Sequence, residues 1–273
     1  MSSTLTLCPL TVEDIPAADS PQFAHLLDGY FAQGLAVIES LPTWRKKSTH
    51  HSHTVQSYVL PKASSGESHA KTRTSLHLDP EEYWAGRTSS HDINNGSSIS
   101  VYEVFRNGLL INHSDQERRY IESCIESERL QVFREREAEV WRMTYKTPPP
   151  TSPRTFVFLL LCRELQTDTG RRSFMNISIP FDHATVPPDQ GAEKTRARGR
   201  YVSVEYVREV DDGEKVEWLM ATSSFAGGAI PQFLTNMSLP GKITEDVPSF
   251  VEYVNAKMPA SGTANARVST LTL

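Results

Sequence analysis

The chain has 273 residues, 38% of them hydrophobic and 9% aromatic, enough for one large domain or two small ones. Lys and Arg number 28 against 33 Asp and Glu, a formal net charge of −5, so the basic footprint of a nucleic-acid binder is missing and no nucleic-acid partner is expected. The longest uninterrupted apolar run, residues 156–162, is far shorter than the roughly 20 residues a membrane helix needs, which excludes stable membrane insertion by a helix.

In chain order, the first expected element is a helix over residues 20–40. Phe23, Leu26, Leu27, Tyr30, Phe31 and Leu35 recur at steps of three and four, and Ser20-Pro21 supplies an N-cap with Pro at the first helical position. Residues 45–67 are polar and rich in His and Ser and read as exposed loop, with only Tyr58-Val59-Leu60 strand-like. Residues 72–78 alternate as a strand, and residues 83–91 read as another. Residues 98–133 read as mostly helical, with Ser114 and Glu117 spaced as a capping box.

The period then changes from 3.6 to 2. Residues 140–146, 154–165, 172–180, 198–210 and 215–224 are five strands at hairpin-like spacing, and Asp211-Asp212-Gly213 is a turn between the last two. Residues 187–197 are polar and read as a surface loop or lid. After Gly227-Gly228 the helical period returns over residues 230–255, and a flexible tail is expected over 259–273. Three widely spaced cysteines (Cys8, Cys124, Cys162) exclude a disulfide framework. The first ten residues carry no basic segment and are broken by Pro9, so a reduced, cytoplasmic protein is expected, with the sequons at Asn95, Asn112, Asn176 and Asn236 unused.

Helix, short strands, helices, a run of antiparallel strands and a terminal helix make an α+β pattern. Several motifs carry a resemblance. Ser152-Pro153-Arg154-Thr155-Phe156-Val157 resembles the "N-R-D-F-V" opening of a central strand in START lipid-binding domains. His183 with Pro187-Pro188, then Thr195-Arg196-Ala197, resembles that family's "hP..P...g.VRa" passage. Ser224-Phe225-Ala226-Gly227-Gly228-Ala229-Ile230-Pro231, ending in Asn236, resembles "D-P-G-G-x-I-P-x-W-x-x-N" before the C-terminal helix. Upstream, the block from Tyr83-Trp84-Ala85-Gly86-Arg87 to His91, with Tyr102-Glu103-Val104-Phe105, is similar to a fungal START-like family of unassigned function. The resemblance implies a helix-grip START/Bet v 1-like fold in a single domain over residues 1–258 with its core at 83–257. In that fold a curved antiparallel sheet surrounds a long C-terminal helix and encloses a hydrophobic ligand cavity. Ser224-Phe225-Ala226 stands where the family has Asp-Pro, and Thr155 where it has Asp, so no role of those aspartates carries over.

Alternation then selects the ligand wall. Trp141 and Tyr145 share one strand face, Tyr201 and Glu205 another, and Trp218 and Met220 a third, while Asn176 lies within an apolar strand. Phe233 and Met237, one turn apart on the closing helix, are expected over the same space. Arg87, His91, Arg154, Arg198 and Glu205 are candidate polar anchors. His50-His51-x-His53 lacks an acidic or Cys partner at ligand spacing, so no metal site is assigned. There is no G-x-S-x-G, no G-x-G-x-x-G and no phosphate loop, so no cofactor is expected. Two uses of such a cavity remain. One is cofactor-free cyclisation of a polyketide or terpenoid-like intermediate. The other is non-catalytic lipid or sterol transfer, disfavoured by a closing helix with Glu245, Asp246 and Glu252 against Lys242 and Lys257.

Overall fold

The computed structural model of the chain describes residues 3–51, 54–62, 65–92, 99–186 and 196–257. Helix α1 (Pro21–Ser40) begins where the sequence signals it: Ser20 Oγ accepts the Phe23 backbone N–H at 3.1 Å. The strands are β1 (Arg45–His50), β2 (Val55–Val59), β3 (Trp84–Asp92), β4 (Cys124–Arg134), β5 (Ala138–Tyr145), β6 (Arg154–Gln166), β7 (Arg172–Pro180), β8 (Ala197–Arg198), β9 (Arg200–Val210) and β10 (Lys215–Phe225). They form one curved sheet in the order β1-β2-β3-β10-β9-β7-β6-β5-β4. Every pairing along this path is antiparallel, and β8 adds a parallel pair on β6. The other helices are α2 (Glu67–Ser75), α3 (Val101–Phe105), α4 (His113–Tyr120) and α5 (Gln232–Lys257).

Both faces of the sheet are covered, as the residues of β7 show. Met175, Ile177 and Ile179 pack in the core beneath α1, whereas Phe174, Asn176 and Ser178 point the other way, toward α4 and α5. The C-terminal half of α5 is solidly packed. Val247, Phe250, Val251 and Val254 bury against Phe105, Leu109 and Trp218, with the Phe250 ring 5.1 Å from Phe105 and 5.4 Å from Trp218. Full burial of such side chains is worth about 1.5–3 kcal/mol each. The turn from β10 into α5 demands its glycines. Gly227 has φ +67, and a Cβ there would lie 1.9 Å from the Arg198 carbonyl oxygen.

The five central strands, the Asp211-Asp212-Gly213 turn and the C-terminal helix follow the alternation and turn signals, with Gly199 dividing 198–210 into β8 and β9. Four assignments are corrected. Residues 45–67 are not mainly loop, because β1 and β2 form a hairpin whose exposed edge strand, Arg-Lys-Lys-Ser-Thr-His, is polar on both faces. The strand expected at 72–78 is the end of α2, held by Arg73. That side chain is buried and donates to the carbonyls of Pro61 at 2.9 Å and of Asp79 and Glu82 at 3.0 Å. The helical reading of 98–133 holds only to Tyr120, after which the Glu- and Arg-rich segment is the edge strand β4. The capping box is absent: α4 starts after Asn112, and the buried Ser114 hydroxyl has no partner within the protein. The lid reading of 187–197 falls almost wholly, and the tail wholly, outside the described residues.

Candidate ligand cavity

The sheet face toward α5 alternates large and small side chains in register. Thr222, Ser203 and Ser178 sit side by side across β10, β9 and β7, and two residues along each strand come Met220, Glu205 and Asn176. The first row is too short to reach α5. Between it and the helix lies a cavity of about 720 Å³, bordered by α4, by Tyr145 and Phe156 from β5 and β6, and by Leu239, Ile243 and Asp246 on α5, and open to solvent beside Lys146, Lys242 and Glu245. That is the size of a site for a small organic ligand.

The second row carries the polar chemistry. Glu205 Oε1 accepts the Trp218 indole N–H at 2.8 Å, and Oε2 accepts one Asn176 amide hydrogen at 3.1 Å. The fully buried Arg87 guanidinium stacks on the Trp218 ring at 4.0 Å and reaches Glu205 Oε1 at 3.7 Å. Asn176 sends its other amide hydrogen to the Leu109 carbonyl at 3.0 Å. His113 Nδ1 lies 2.5 Å from the same carbonyl. A carbonyl only accepts, so Nδ1 carries hydrogen, and Nε2 lies 3.7 Å from Glu117 Oε2. Glu117 Oε1 in turn accepts the Tyr145 hydroxyl at 2.5 Å. Burial pushes the Glu117 carboxyl up, and pushes the Tyr120, Tyr145 and Tyr201 hydroxyls well above their ordinary range.

Six of the residues selected from the sequence border this cavity: Tyr145, Asn176, Tyr201, Glu205, Trp218 and Met220. Seven do not. Trp141 faces a separate small void beside Leu160, its indole tied to Glu139 at 2.9 Å. Phe233 and Met237 are 62% and 75% exposed, because the start of α5 docks through its polar side. Gln232 donates to the Ser224 carbonyl at 2.8 Å and Thr235 is buried, which turns Phe233 and Met237 outward. Arg87 stands behind the wall, sealed by Trp218 and Glu205. His91 is buried between Phe105 and Trp218, with Nε2 on Ser89 Oγ at 2.9 Å. Burial, then the neighbouring Arg87, bring it down to about 3. Arg154 braces the loop before β6, donating to Thr147 Oγ1 at 3.0 Å and to the Ser152 carbonyl, and Arg198 donates to the Phe181 carbonyl at 3.4 Å.

The sequence reading passed over His113, Glu117, Phe156, Ser178, Thr222 and Asp246 on the wall, while Ser203 lies on the face it assigned to Tyr201 and Glu205. The i, i+4 spacing of His113 and Glu117 was the available signal for that pair. Among the described residues no group of three His, Cys, Asp or Glu side chains is placed to hold a metal ion, and His53 lies outside them. None of the described helices is long and apolar enough to cross a membrane.

Asp246 borders the cavity from α5, and burial raises its carboxyl from 3.8 to about 7, with Arg87 pulling the other way. The folded chain therefore holds a proton that the unfolded chain releases, so this group's contribution to stability falls as pH rises from about 4 to 7. Asp246→Asn is expected to flatten that decline, whose limiting slope is about 1.4 kcal/mol per pH unit. Denaturation midpoints at pH 5, 6, 7 and 8 read it; an unchanged slope in the variant refutes the assignment.

A family model described as "Protein of unknown function (DUF3074)" matches residues 84–254. The chain belongs to that family. A relative of Schizosaccharomyces pombe, described as an uncharacterized protein, is 23% identical over 261 residues, spanning 94% of this chain and 96% of the relative. Among solved structures, human StAR-related lipid transfer protein 5 superposes with a TM-score of 0.61 at 14% identity, covering 85% of this chain and 96% of that one. Human STARD10 gives 0.59 at 12% identity, covering 87% and 80%. A STAR-related lipid transfer protein from Xanthomonas axonopodis gives 0.51 at 13% identity, covering 77% and 98%. The fold of this DUF3074 member is thus the START-like helix grip.

Proposed function

We propose that the chain binds one hydrophobic small molecule in the cavity beneath α5, with its polar end at Asn176, Glu205 and His113. The observation that carries this reading is the row Thr222-Ser203-Ser178, which leaves about 720 Å³ open between the sheet and α5. Native mass spectrometry of the protein expressed in yeast tests it, and one retained small molecule per chain is the expected result. A chain that stays bare, and remains so after incubation with lipid and metabolite extracts, overturns it.

The finer reading is cofactor-free cyclisation, supported by the grouping of His113, Glu117 and Tyr145 on the wall. In this reading His113 Nε2 takes a proton from a carbon beside a carbonyl, and the Tyr201 hydroxyl donates to the enolate oxygen. The enolate carbon attacks a second carbonyl of the same molecule, and the new alkoxide recovers the proton from the imidazolium. The product is an isomer of the substrate, so no co-reactant is required. Holding two reacting groups at near-attack distance supplies about 7–11 kcal/mol, and one oxyanion donor about 3 kcal/mol. The alternative, a lipid or sterol carrier, is supported by the exposed Phe225, Phe233, Leu234 and Met237 around the start of α5. Chromatography of the retained molecule separates the two uses: an isomer that accumulates with wild type and not with His113→Asn marks catalysis.

A further inference from the structure

We propose that the chain carries a second binding site, separate from the cavity beneath α5, that takes the phosphate group of an ester between Arg45 and Lys62 at the base of the β1–β2 hairpin. The site is a hollow of about 540 Å³ where the start of β1, the end of β2 and the segment before α2 meet the start of β3. Val59, Pro61 and Tyr83 line it beside the two cations, so it offers apolar surface for an organic group as well as charge for the anion. None of its lining residues borders the cavity beneath α5, and the inference does not depend on what that cavity binds.

Charge selects the occupant. The net charge of the chain is −5, yet residues 40–66 contain four Lys or Arg and no Asp or Glu. Arg142, Arg163, Arg172 and Arg208 on other strands each pair with a glutamate, whereas among the described residues no carboxylate pairs with Arg45 or Lys62. The peptide oxygens of Leu60 and Pro61, which would repel an anion, are withdrawn behind the wall, where they accept from Arg73 at 3.4 and 2.9 Å. Arg73 is 2% exposed, and Asp79, Glu81 and Glu82, whose charges act on it, do not border the hollow. The Tyr83 hydroxyl makes no hydrogen bond to a described residue; burial raises it, and the nearby Arg45 guanidinium draws it down. Arg45, Lys62 and the hydroxyls of Tyr83 and Ser65 thus surround one space with more donors and positive charge than a carboxylate's two oxygens use, which suits a phosphate.

Strand parity distinguishes a site from a diffusely basic edge. Arg45 pairs with Val59 and Val59 with Ala85, so the three share the face toward α5. Lys46 pairs with Tyr58, whose ring lies in the core beneath α1, so Lys46 projects from the opposite face; neither it nor Lys47 lines the hollow. Tyr83 also packs on the cluster of Ala85, Leu239 and Ile243, which joins the hollow to the half of α5 that exposes Phe233 and Met237. The same phosphate chemistry is therefore open to a soluble ester and to a phospholipid headgroup.

Calorimetric titration of the full chain with glycerol 3-phosphate, and its sedimentation with phosphatidylcholine vesicles with and without phosphatidic acid, test this. Saturable binding to at least one of the two phosphates is expected, with sodium acetate at equal ionic strength a poor competitor. The double variant Arg45→Gln/Lys62→Gln should weaken it at least about tenfold. Lys46→Gln/Lys47→Gln, which removes the same charge beside the hollow, should leave it within about twofold of wild type. All four side chains are exposed, so both variants should melt with wild type. Binding of glycerol 3-phosphate assigns the site to a soluble ester, and binding of phosphatidic acid vesicles alone assigns it to a lipid headgroup. The proposal is overturned if neither phosphate binds, if acetate competes as well as phosphate, or if the Lys46/Lys47 variant loses as much affinity as the Arg45/Lys62 variant.

Discussion

Replacing Trp218 with alanine is expected to lower the unfolding free energy by about 3–5 kcal/mol in ligand-free protein. The indole has two sides with different duties. One edge borders the cavity, while the rest is 1% exposed and packed edge-on to Phe105 at 5.6 Å and Phe250 at 5.4 Å, tying α3 and α5 to β10. Its loss also removes the surface on which Arg87 stacks and a donor to Glu205. Trp218→Phe keeps most of the packing and forfeits the indole N–H, for a cost of about 1 kcal/mol from that hydrogen bond. Urea denaturation of both variants beside wild type checks the ordering. An alanine variant as stable as wild type would refute the view that Trp218 belongs to the core as well as to the wall.

Glu205→Ala is expected to cost a similar amount, about 3–5 kcal/mol, by a different route. The substitution opens little space, but it leaves the Arg87 guanidinium buried with its nearest carboxylate gone. The Trp218 indole and one Asn176 amide hydrogen lose their acceptor at the same time. Because the penalty arises from a buried charge that has lost its nearest partner, removing that charge should recover much of it. Arg87→Met in the Glu205→Ala background is expected to be more stable than Glu205→Ala alone, a non-additivity that a double-mutant cycle measures. Strictly additive losses would show that the two side chains do not act on one another.

The sequence disclosed most where burial is regular. Strands β5, β6, β7, β9 and β10 are buried on both faces or alternate cleanly, and α1 carries both its stripe and its cap, so period and capping chemistry located them. It disclosed least at the edges. β1 and β4 are outer strands, and the charged residues that keep such edges from pairing with other chains also imitate loop and helix. α2 owes its position to Arg73 reaching four carbonyls distant in sequence from its own turn, which local propensity does not record. The same division runs through the cavity. Tyr201, Glu205, Trp218 and Met220 were legible because strand faces are fixed by parity. His113 and Glu117 were not, since α4 is an eight-residue polar helix whose inward side is set by what packs on it. Phe233 and Met237 misled because an apolar pair on a helix marks an interior face only when its polar neighbours have no docking of their own, and Gln232 has.

The row Thr222-Ser203-Ser178 separates two properties that most cores keep together. Strand pairing in that part of the sheet is made by backbone, with one added bond from Thr222 Oγ1 to the Val202 carbonyl at 2.9 Å, and packing against α1 is made by the alternate residues Ile177, Val204 and Ala221 on the opposite face. The three hydroxyl-bearing positions contribute little volume to either. A descendant of this chain can therefore lengthen or shorten those side chains, changing which molecule fits, without renegotiating the register of the sheet. On the proposed ligand-binding reading, selectivity rests on these few positions, and the framework around them is free to stay the same while the occupant changes.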